Sequence, residues 1–546
     1  MTHLLQLVRT ESAGVRREIL VTTAVSGIAN AAIIAIIAQA SQSAGYDDVQ
    51  LRYLLMFIVA MVLYIMCLRY SSKKMIRIMT QLVQKLRVRL VDKLQAAELP
   101  VVEKVGKSPI LNALTHESTT IADSGEAMIE GLQSIIFVCF GFAYVAYLSR
   151  PAFYLSVVSA IVALTLVFRA RSQALQLMQK TRDRELVFLN YATDVLEGFK
   201  EARLNQKKSD DLRDDVHEVA ERVTELREEI EDLQTRRTIM GRASFYILIA
   251  MVVFLLPVII ETYTEVIAET VTAILFVVGP LSMIVGIVPY LTRSNESARS
   301  ILELEAALDQ MSGETPRIKA TKAGSRPRGF RSIEVDRASY RYGDTEESFS
   351  LGPLSFDLNE GEILFLTGGN GSGKSTLLKL VAGLYPLDSG KIRIDGDVLE
   401  SGNIQSYREM FSAVFSDFHL FRKLYGLLDS DEALVNAMLE RMQISRKVRF
   451  EDEGFSTLEL STGQRKRLAL AVSLLEDRPI LIFDELAADQ DPEFREFLYK
   501  ELLPELQRAG RTIIAATHDD RYFNVADRVI RMEYGTIEYI RERDQA

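Results

Sequence analysis

Six apolar runs dominate the first 291 residues, and each is close to the ~20 residues that a membrane-spanning helix needs. They lie at about 19–40, 51–68, 131–149, 151–168, 244–261 and 270–291. Any one run could be a buried core helix, but the sequence between them offers no amphipathic partners to cover six. The sequence therefore predicts an α-helical domain with six membrane spans.

The links between these runs alternate in length and in charge. Short links join runs one to two, three to four and five to six, whereas long charged segments join the other pairs. Residues 69–126 contain ten Lys or Arg, and the short links contain almost none. Because basic loops stay on the cytoplasmic side, we expect the long links and both termini to be cytoplasmic. Their helical composition favours rigid stalks, projecting about 40 Å, over solvated linkers.

A polar segment at 309–329 separates two halves of different composition. It holds Gly, Pro and Ser without periodicity, which predicts a linker between a transmembrane domain at 1–308 and an α/β domain at 330–546. The net charge of −10 contains no block of like charge, which argues against a nucleic-acid partner. Cys67 and Cys139 lie inside apolar runs, so we expect neither a disulfide framework nor a thiolate metal site.

The first motif of the second half is a predicted phosphate-binding loop. The predicted strand 362–368 runs into GGNGSGKST, which fits G-x-x-x-x-G-K-[ST] and opens a predicted helix at 374–384. Backbone N–H groups and the helix N-terminus suit phosphate oxygens. We expect Lys374 to reach the β- and γ-phosphates and the Ser375 hydroxyl to bind Mg²⁺. The predicted nucleotide contacts of this loop are Gly368, Asn370, Gly371, Gly373, Lys374, Ser375 and Thr376.

A second predicted strand, at 479–485, is apolar and ends in two acids. Carboxylates at the end of a buried strand are where an enzyme with a phosphate loop places its metal acid. We expect Asp484 to hold Mg²⁺ and Glu485 to polarise the attacking water. The alternative is that the two acids simply end a strand.

The segment Leu460-Ser461-Thr462-Gly463-Gln464 opens a helix with an apolar stripe. Alone it would be a helix N-cap. Placed about twenty residues before the acidic strand, it resembles the LSGGQ signature of ATP-binding-cassette proteins. With the phosphate loop, the acids and the later TIIAATHDD, it makes the whole chain resemble an exporter half-transporter of that family, with a six-span domain of the type I exporter fold ahead of an α/β ATPase domain.

The resemblance implies further site residues. His518 matches the switch histidine that orients the γ-phosphate and water, and is the second predicted catalytic residue beside Glu485. Tyr342 matches the aromatic residue that stacks on adenine; the alternative is an ordinary strand tyrosine. The signature of one subunit closes over ATP held by the other, which implies nucleotide contacts from Ser461, Gly463 and Gln464.

Asp491, in AADQDP, matches the loop that touches the opposite subunit. Ser416 stands where the family usually has a glutamine, and is too short to reach Mg²⁺ in the same way. Thr462 stands where the signature usually has glycine. The stretch between Phe421 and Leu460 is short, which implies altered contacts to the stalks. The resemblance implies force transmission through turns near 108–118 and 196–205.

Several segments are similar to bacterial cyclic-peptide and siderophore exporters, the group that includes syringomycin, pyoverdine-precursor and microcin exporters. These segments are EGFKEARLN at 197–205, FSAVFSDFHLF, DELAADQDP and THDDRYF. The resemblance implies ATP-driven export of a cyclic peptide, lipopeptide or peptide siderophore across the bacterial inner membrane. It implies a homodimer of identical chains in contact with membrane lipid. A lipid or drug exporter, a siderophore importer on the same fold, and a regulatory membrane ATPase remain alternatives.

Overall fold

The computed structural model describes residues 3–4, 6–7, 16–42, 51–169, 171–259, 264–311, 329–343 and 348–543. The chain divides into two compact units. The first comprises Met1–Val91 and Ser108–Glu305, and the second comprises Asp92–Lys107 and Ala306–Ala546. The predicted linker overlaps the end of a helix at Met311, and its residues 312–328 lie outside the described part.

Helices account for almost all of the described residues up to Met311. Two π-helical turns, Ala113–Glu117 and Met251–Leu255, interrupt them. The helices are Arg16–Gln42 (α1), Leu51–Ala96 (α2), Leu99–Val105 (α3), Lys107–Asn112 (α4), Ser118–Leu148 (α5), Arg150–Arg169 (α6), Arg171–Glu197 (α7), Phe199–Leu204 (α8), Gln206–Ala250 (α9), Leu256–Ile259 (α10) and Thr264–Met311 (α11).

The six predicted apolar runs fall on these helices and the second π-helical turn, except that Ser149 follows the end of α5 and that residues 260–261 of the fifth run are outside the described part. Four stretches of the described residues are long and apolar enough to cross a membrane. Two further apolar stretches are shorter, at Arg150–Val162 and Tyr246–Leu255. The four longer stretches are Arg17–Ile37, Leu51–Ala96, Lys107–Leu148 and Glu269–Asp309.

The apolar half of α2 is largely uncovered by protein, with Val59 66% and Met66 65% exposed. An uncovered apolar surface of this extent belongs in lipid. With 46 residues, α2 is about 69 Å long, more than twice the ~30 Å hydrocarbon core of a bilayer. It therefore has the length of a span extended by a stalk.

Small residues bring the helices of the first unit together. A Cβ on Gly27 of α1 would lie 2.7 Å from Ile136 of α5, and one on Gly141 of α5 would lie 2.3 Å from Val277 of α11. Close backbone approach through small residues is the usual way that membrane helices pack. Beyond the apolar runs, Arg89 of α2 donates to Glu305 of α11 over 2.7 Å.

The second unit contains a six-stranded sheet in the order β12-β11-β3-β10-β9-β6 and a four-stranded antiparallel sheet in the order β2-β1-β4-β5. Only the β11–β12 pairing in the six-stranded sheet is antiparallel. The strands are Ser332–Arg341 (β1), Ser350–Asn359 (β2), Ile363–Thr367 (β3), Ser389–Ile394 (β4), Asp397–Val398 (β5), Phe411–Val414 (β6), Phe450–Glu451 (β7), Gly454–Phe455 (β8), Ile480–Asp484 (β9), Thr512–Ala516 (β10), Arg528–Glu533 (β11) and Thr536–Glu542 (β12).

Every residue of β3, β9 and β10 is buried, as expected for central parallel strands covered on both faces. Ala516 pairs in register with Leu366 on one side and Asp484 on the other, so the carboxyl ends of the three strands align. The accompanying helices are Lys374–Val381 (α12), Ile404–Arg408 (α13), Glu432–Arg441 (α14), Thr462–Leu475 (α15), Pro492–Phe497 (α16) and Leu503–Arg508 (α17). The aligned edge is where ligands bind in folds of this kind.

Candidate functional site

The loop between β3 and α12 has a backbone that depends on glycine. Gly368 has φ 140°, and a Cβ there would lie 2.2 Å from the Met532 carbonyl oxygen. Gly373 has φ 99° and is the residue before α12. Asn370 and Gly371 are exposed at the loop tip. The predicted phosphate loop therefore lies directly between strand and helix, with its tip open to a ligand.

Lys374 begins α12, and its side chain is folded back under the loop. Its Nζ donates to the carbonyl oxygens of Gly368, at 3.0 Å, and Gly369, at 3.2 Å. Burial lowers the pKa of Lys374, and the charges of Glu485 and Asp484 raise it in opposition. The cation is thus held beside the acids at the end of β9, where added phosphate oxygens would offset its loss of hydration.

Asp484 ends β9 and is 1% exposed. Its Oδ2 accepts from the Ser416 amide at 3.3 Å. Within the described part of the chain, Asp484 Oδ1 and the Ser372 hydroxyl are buried and have no hydrogen-bond partner. An orphaned carboxylate oxygen beside the phosphate loop fits a divalent cation. Among the described residues, no group of three or more His, Cys, Asp or Glu lies where it could hold a metal ion.

Glu485 and His518 follow β9 and β10 and meet at the aligned edge. His518 Nε2 lies 3.3 Å from Glu485 Oε1, and both side chains are partly exposed. The backbone of Glu485 is left-handed, with φ 53°, and its amide donates to the Ala516 carbonyl over 3.0 Å. The two predicted catalytic side chains therefore face solvent beside the phosphate loop, where a water molecule can approach them.

The predicted signature opens α15 with a reciprocal capping box. Ser461 Oγ accepts from the Gln464 amide at 3.4 Å, and the Ser461 amide donates to Gln464 Oε1 at 3.2 Å. Ser461 and Thr462 are exposed. A Cβ on Gly463 would lie 2.6 Å from the Asp489 carbonyl oxygen, so glycine is required for the helix to approach that loop. This arrangement leaves an exposed helix N-terminus that can receive an anion.

Two buried cations on α15 were missed by sequence reasoning. Lys466 donates to the carbonyl oxygens of Glu485 at 3.0 Å and Ala488 at 3.1 Å. Arg467 donates to Gln490 over 2.9 Å and to Asp491, and lies 4.0 Å from the centre of the Phe494 ring. They join the signature helix to the loop after β9. Nothing in the sequence separates them from Arg465, which is exposed.

Asp491 and Tyr342 lie at the edges of the site. Asp491 caps α16 by accepting from the Phe494 amide at 2.9 Å. Tyr342 follows β1, and its hydroxyl lies 3.3 Å from the Thr376 hydroxyl, next to the phosphate loop. Its ring packs against Phe349 and Tyr385. Thr376 is buried, whereas Ser375 is partly exposed.

Residues Asp92–Lys107, called the first stalk turn below, pack with the ATPase fold of the second unit. Residues 108–118 belong to the first unit, whereas Asp92–Lys107 belong to the second. Glu98 pairs with Arg408 over 2.5 Å, and Leu99 packs into the apolar core beneath the four-stranded sheet. Helix α2 ends at Ala96, and the separate helix α3 starts at Leu99 with Pro100 in its first turn.

Comparison with known proteins relates this geometry to established families. The ABC transporter family model matches residues 351–488. The chain is 32% identical over 533 residues to "ATP-binding protein SyrD" of Pseudomonas syringae pv. syringae, covering 95% of this chain and 93% of the relative. It is 31% identical over 281 residues to "ATP-dependent lipid A-core flippase" of Alkalilimnicola ehrlichii, covering 49% and 46%. A solved structure, "Structure of a bacterial Atm1-family ABC exporter with ATP bound", matches with a TM-score of 0.75 at 18% identity, covering 97% and 96%.

The likeness to SyrD extends over almost the whole of both chains, and the structural likeness shows the exporter fold. The ABC transporter match covers the phosphate loop, the signature and the acidic strand whose geometry is described above. The chain therefore belongs to the ATP-binding-cassette transporter family, as an exporter half-transporter in which a nucleotide-binding ATPase domain is coupled to a membrane-embedded domain.

Proposed function

We propose that this chain exports a cyclic peptide, lipopeptide or peptide siderophore across the bacterial inner membrane. The supporting observation is where the sequence likeness lies. The spanning domain determines which substrate a transporter accepts, and the likeness to SyrD includes that domain, since it covers 95% of the chain. The flippase alignment covers only 49%.

ATP hydrolysis would proceed at the aligned ends of β3, β9 and β10. Lys374 would exchange its bonds to the loop carbonyl oxygens for the β- and γ-phosphate oxygens. Ser375 and Asp484 would hold Mg²⁺, which when bound offsets negative charge on the phosphates. Glu485 would polarise the attacking water, and His518 would orient that water and the γ-phosphate.

A homodimer is supported by surfaces that this chain leaves open. Ser461 and Thr462 are exposed at the start of α15, so the signature is free to close over ATP held by a second chain. The second cytoplasmic turn exposes Phe199 at 61% and Leu204 at 89%, and α8 buries no residue. An exposed apolar turn on a stalk suits a partner's ATPase domain.

The transport cycle would then be one of alternating access. Two chains would enclose a cavity open to the cytoplasm, and two ATP molecules would join their ATPase domains. Closure would draw the stalks together and open the cavity outward, and hydrolysis would reset the dimer. The basic residues of 69–126 support cytoplasmic stalks and termini, which places the ATPase domains where ATP is supplied.

The test is mass spectrometry of culture medium and cell extract from three strains. These are the parent, a deletion strain, and the deletion strain complemented with the Glu485→Gln form. We expect a peptide or siderophore to be missing from the medium of both defective strains and retained in their cells. Unchanged peptide profiles in all three strains would contradict the proposal.

Lipid export is the second candidate, because lipid A-core flippases are among the relatives at 31% identity. The same three strains separate the two candidates. A lipid that accumulates in the inner membrane of both defective strains, with peptides unchanged, would favour the flippase function. A siderophore that stays in the medium of both defective strains and is missing from their cells would indicate import.

A further inference from the structure

A chain of hydroxyl groups connects the phosphate-loop helix to the first stalk turn. The Thr376 hydroxyl lies 3.3 Å from the Tyr342 hydroxyl, which donates to the Tyr385 hydroxyl over 2.9 Å. The Tyr385 hydroxyl donates in turn to both oxygens of Glu103, at 3.1 and 3.0 Å. Tyr385 is buried, and Glu103 lies on α3, so the chain runs from the nucleotide side to the stalk turn.

The carboxylate of Glu103 sets the direction of this chain. A carboxylate only accepts hydrogen bonds, whereas each hydroxyl donates one proton. Tyr385 therefore donates to Glu103, Tyr342 donates to Tyr385, and Thr376 is left to donate to Tyr342. Burial, with the bonds to Tyr342 and Glu103, raises the pKa of Tyr385, so its hydroxyl keeps its proton.

A second path leads from Glu103 to the metal acid. Lys379 Nζ lies 3.6 Å from a Glu103 oxygen and 3.6 Å from an Asp417 oxygen. The Lys379 side chain is 15% exposed, whereas Glu103 is 38% and Asp417 71% exposed, so water screens the pair with Asp417 more than the pair with Glu103. Asp417 follows Ser416, whose amide bonds Asp484. The Glu103 carboxylate on the stalk turn thus contacts both Tyr385, which bonds Tyr342, and Lys379, which pairs with the residue after Ser416.

We propose that Glu103 is a positioning residue for ATP, acting through Tyr385 on Tyr342 and Thr376 and through Lys379 on the segment that holds Asp484. This inference rests on the proposed nucleotide contacts of Tyr342 and Thr376. In this proposal Glu103 connects the stalk turn to the nucleotide site. Ser416, which stands in place of glutamine, has a side chain too short to make that connection.

Bound ATP would change this series of hydroxyl hydrogen bonds at Thr376, where the series begins. Thr376 has a single hydroxyl proton, which a phosphate oxygen and the Tyr342 hydroxyl cannot both accept. When phosphate takes it, Tyr342 loses a donor while its ring receives the base. The hydrogen bonds of Tyr385 and Glu103 adjust accordingly, so the stalk turn responds to bound ATP.

The experiment measures steady-state ATP turnover of the full-length chain in lipid nanodiscs, over a range of ATP concentrations and without transport substrate. Glu103→Gln adds an amide donor to the acceptor end, and we expect it to raise the KM for ATP about three- to tenfold. Glu98→Gln is the matched control. It breaks an ion pair of the same turn, with Arg408, that does not lead to the nucleotide, and we expect a KM within about twofold of the parent.

Tyr385→Phe keeps the ring stacked on Tyr340 and removes only the hydroxyl. We expect it to raise the KM as Glu103→Gln does, and the double variant to be no worse than either single one. The proposal would be overturned if the KM effects of the two single changes added up in the double variant, or if Glu103→Gln left the KM unchanged. It would also be overturned if Glu98→Gln raised the KM as much as Glu103→Gln does.

The Tyr342→Ala variant tests the proposed nucleotide contact of Tyr342 separately from the proposed role of Glu103. A raised KM in Tyr342→Ala with an unchanged KM in Glu103→Gln rejects the role of Glu103 alone. An unchanged KM in Tyr342→Ala rejects the nucleotide contact of Tyr342 and the proposal that depends on it. Because hydrolysis is measured without a transported molecule, neither result depends on what the dimer exports.

Discussion

Glu485 occupies a backbone conformation that side chains rarely adopt, with φ 53°. Non-glycine residues in this region persist only where their surroundings hold them, and such residues cluster at functional sites. Here the Glu485 amide is held by the Ala516 carbonyl, and its own carbonyl accepts from Lys466 at 3.0 Å. Lys466 therefore holds the backbone of Glu485, whose carboxylate lies 3.3 Å from His518 Nε2.

Lys466→Met should lower kcat for ATP at least tenfold, on the order expected when a catalytic group is misplaced. It removes the donor to three acceptors, in Glu485, Ala488 and Asp489, and should lower the free energy of unfolding by about 1–3 kcal/mol. The KM should change little, because Lys466 bonds the loop after β9 rather than the phosphate loop. ATP turnover and thermal unfolding of the full chain measure both effects.

Lys500→Met is the control for this change, because Lys500 pairs only with exposed Glu496 in an i,i+4 arrangement. Such an exposed pair contributes little to stability, so turnover should match the parent. If Lys466→Met hydrolyses ATP at the parental rate, the backbone of Glu485 does not need this support.

At the scale of the element, Asp491 has two separable contacts at the start of α16. The hydrogen bond from the Phe494 amide holds the pKa of Asp491 below its usual range, and the charge of Arg467 lowers it further. A lowered pKa means that this stabilisation is present above the usual pKa of a carboxyl and is lost as the pH falls through the lowered value. The contribution is therefore constant at neutral pH.

Asp491→Asn and Asp491→Ala should differ in stability. Asn is as good an N-cap as Asp, so Asp491→Asn should lose only the ion pair with Arg467, whereas Asp491→Ala should lose a further ~1 kcal/mol. Thermal unfolding between about pH 6 and 8 should give the same difference at each pH, since neither asparagine nor alanine titrates there. Equal unfolding temperatures for the two variants would show that the cap contributes nothing.

The elements that sequence reasoning placed well are those with a local cause. β3 and β9 are apolar runs that end in glycine and aspartate, and the structure has them at Ile363–Thr367 and Ile480–Asp484. The predicted helix at 374–384 ends earlier, at Val381, because Gly383 turns left-handed with φ 69°. Its sequence continues apolar beyond that point, so periodicity alone does not show the end.

Contacts between distant segments were beyond local patterns. The contact of Glu103 with Tyr385 joins residues 282 positions apart, and that of Lys466 with the Glu485 carbonyl depends on how α15 crosses the loop after β9. Neither residue stands in a motif or at an unusual spacing. The phosphate loop and the acids were predictable because their chemistry requires fixed spacing and residue type; the residues that support them are selected by packing.

At the scale of the whole molecule, the two units differ in how much apolar surface they leave exposed. The first leaves apolar helix faces uncovered, and the second buries a continuous core on both faces of its central strands. The second unit also contains, in one chain, the residues proposed as phosphate loop, metal acid, base, switch histidine and signature. Two copies would therefore form two equivalent ATP sites, which supports the homodimer proposed above.

Glu485→Gln tests that arrangement for the full-length chain in nanodiscs. Glutamine keeps the size of the side chain but cannot polarise water as a carboxylate does, so turnover should fall roughly 10²- to 10⁴-fold while ATP still binds. We expect the variant, after incubation with ATP and Mg²⁺ and removal of free nucleotide, to retain intact ATP equally in both subunits. Glu501→Gln, an exposed acid of the same domain, should behave as the parent and retain none. Brisk hydrolysis by Glu485→Gln would assign the base to another residue, and retention by only half of the chains would indicate that the two sites of the dimer are not equivalent.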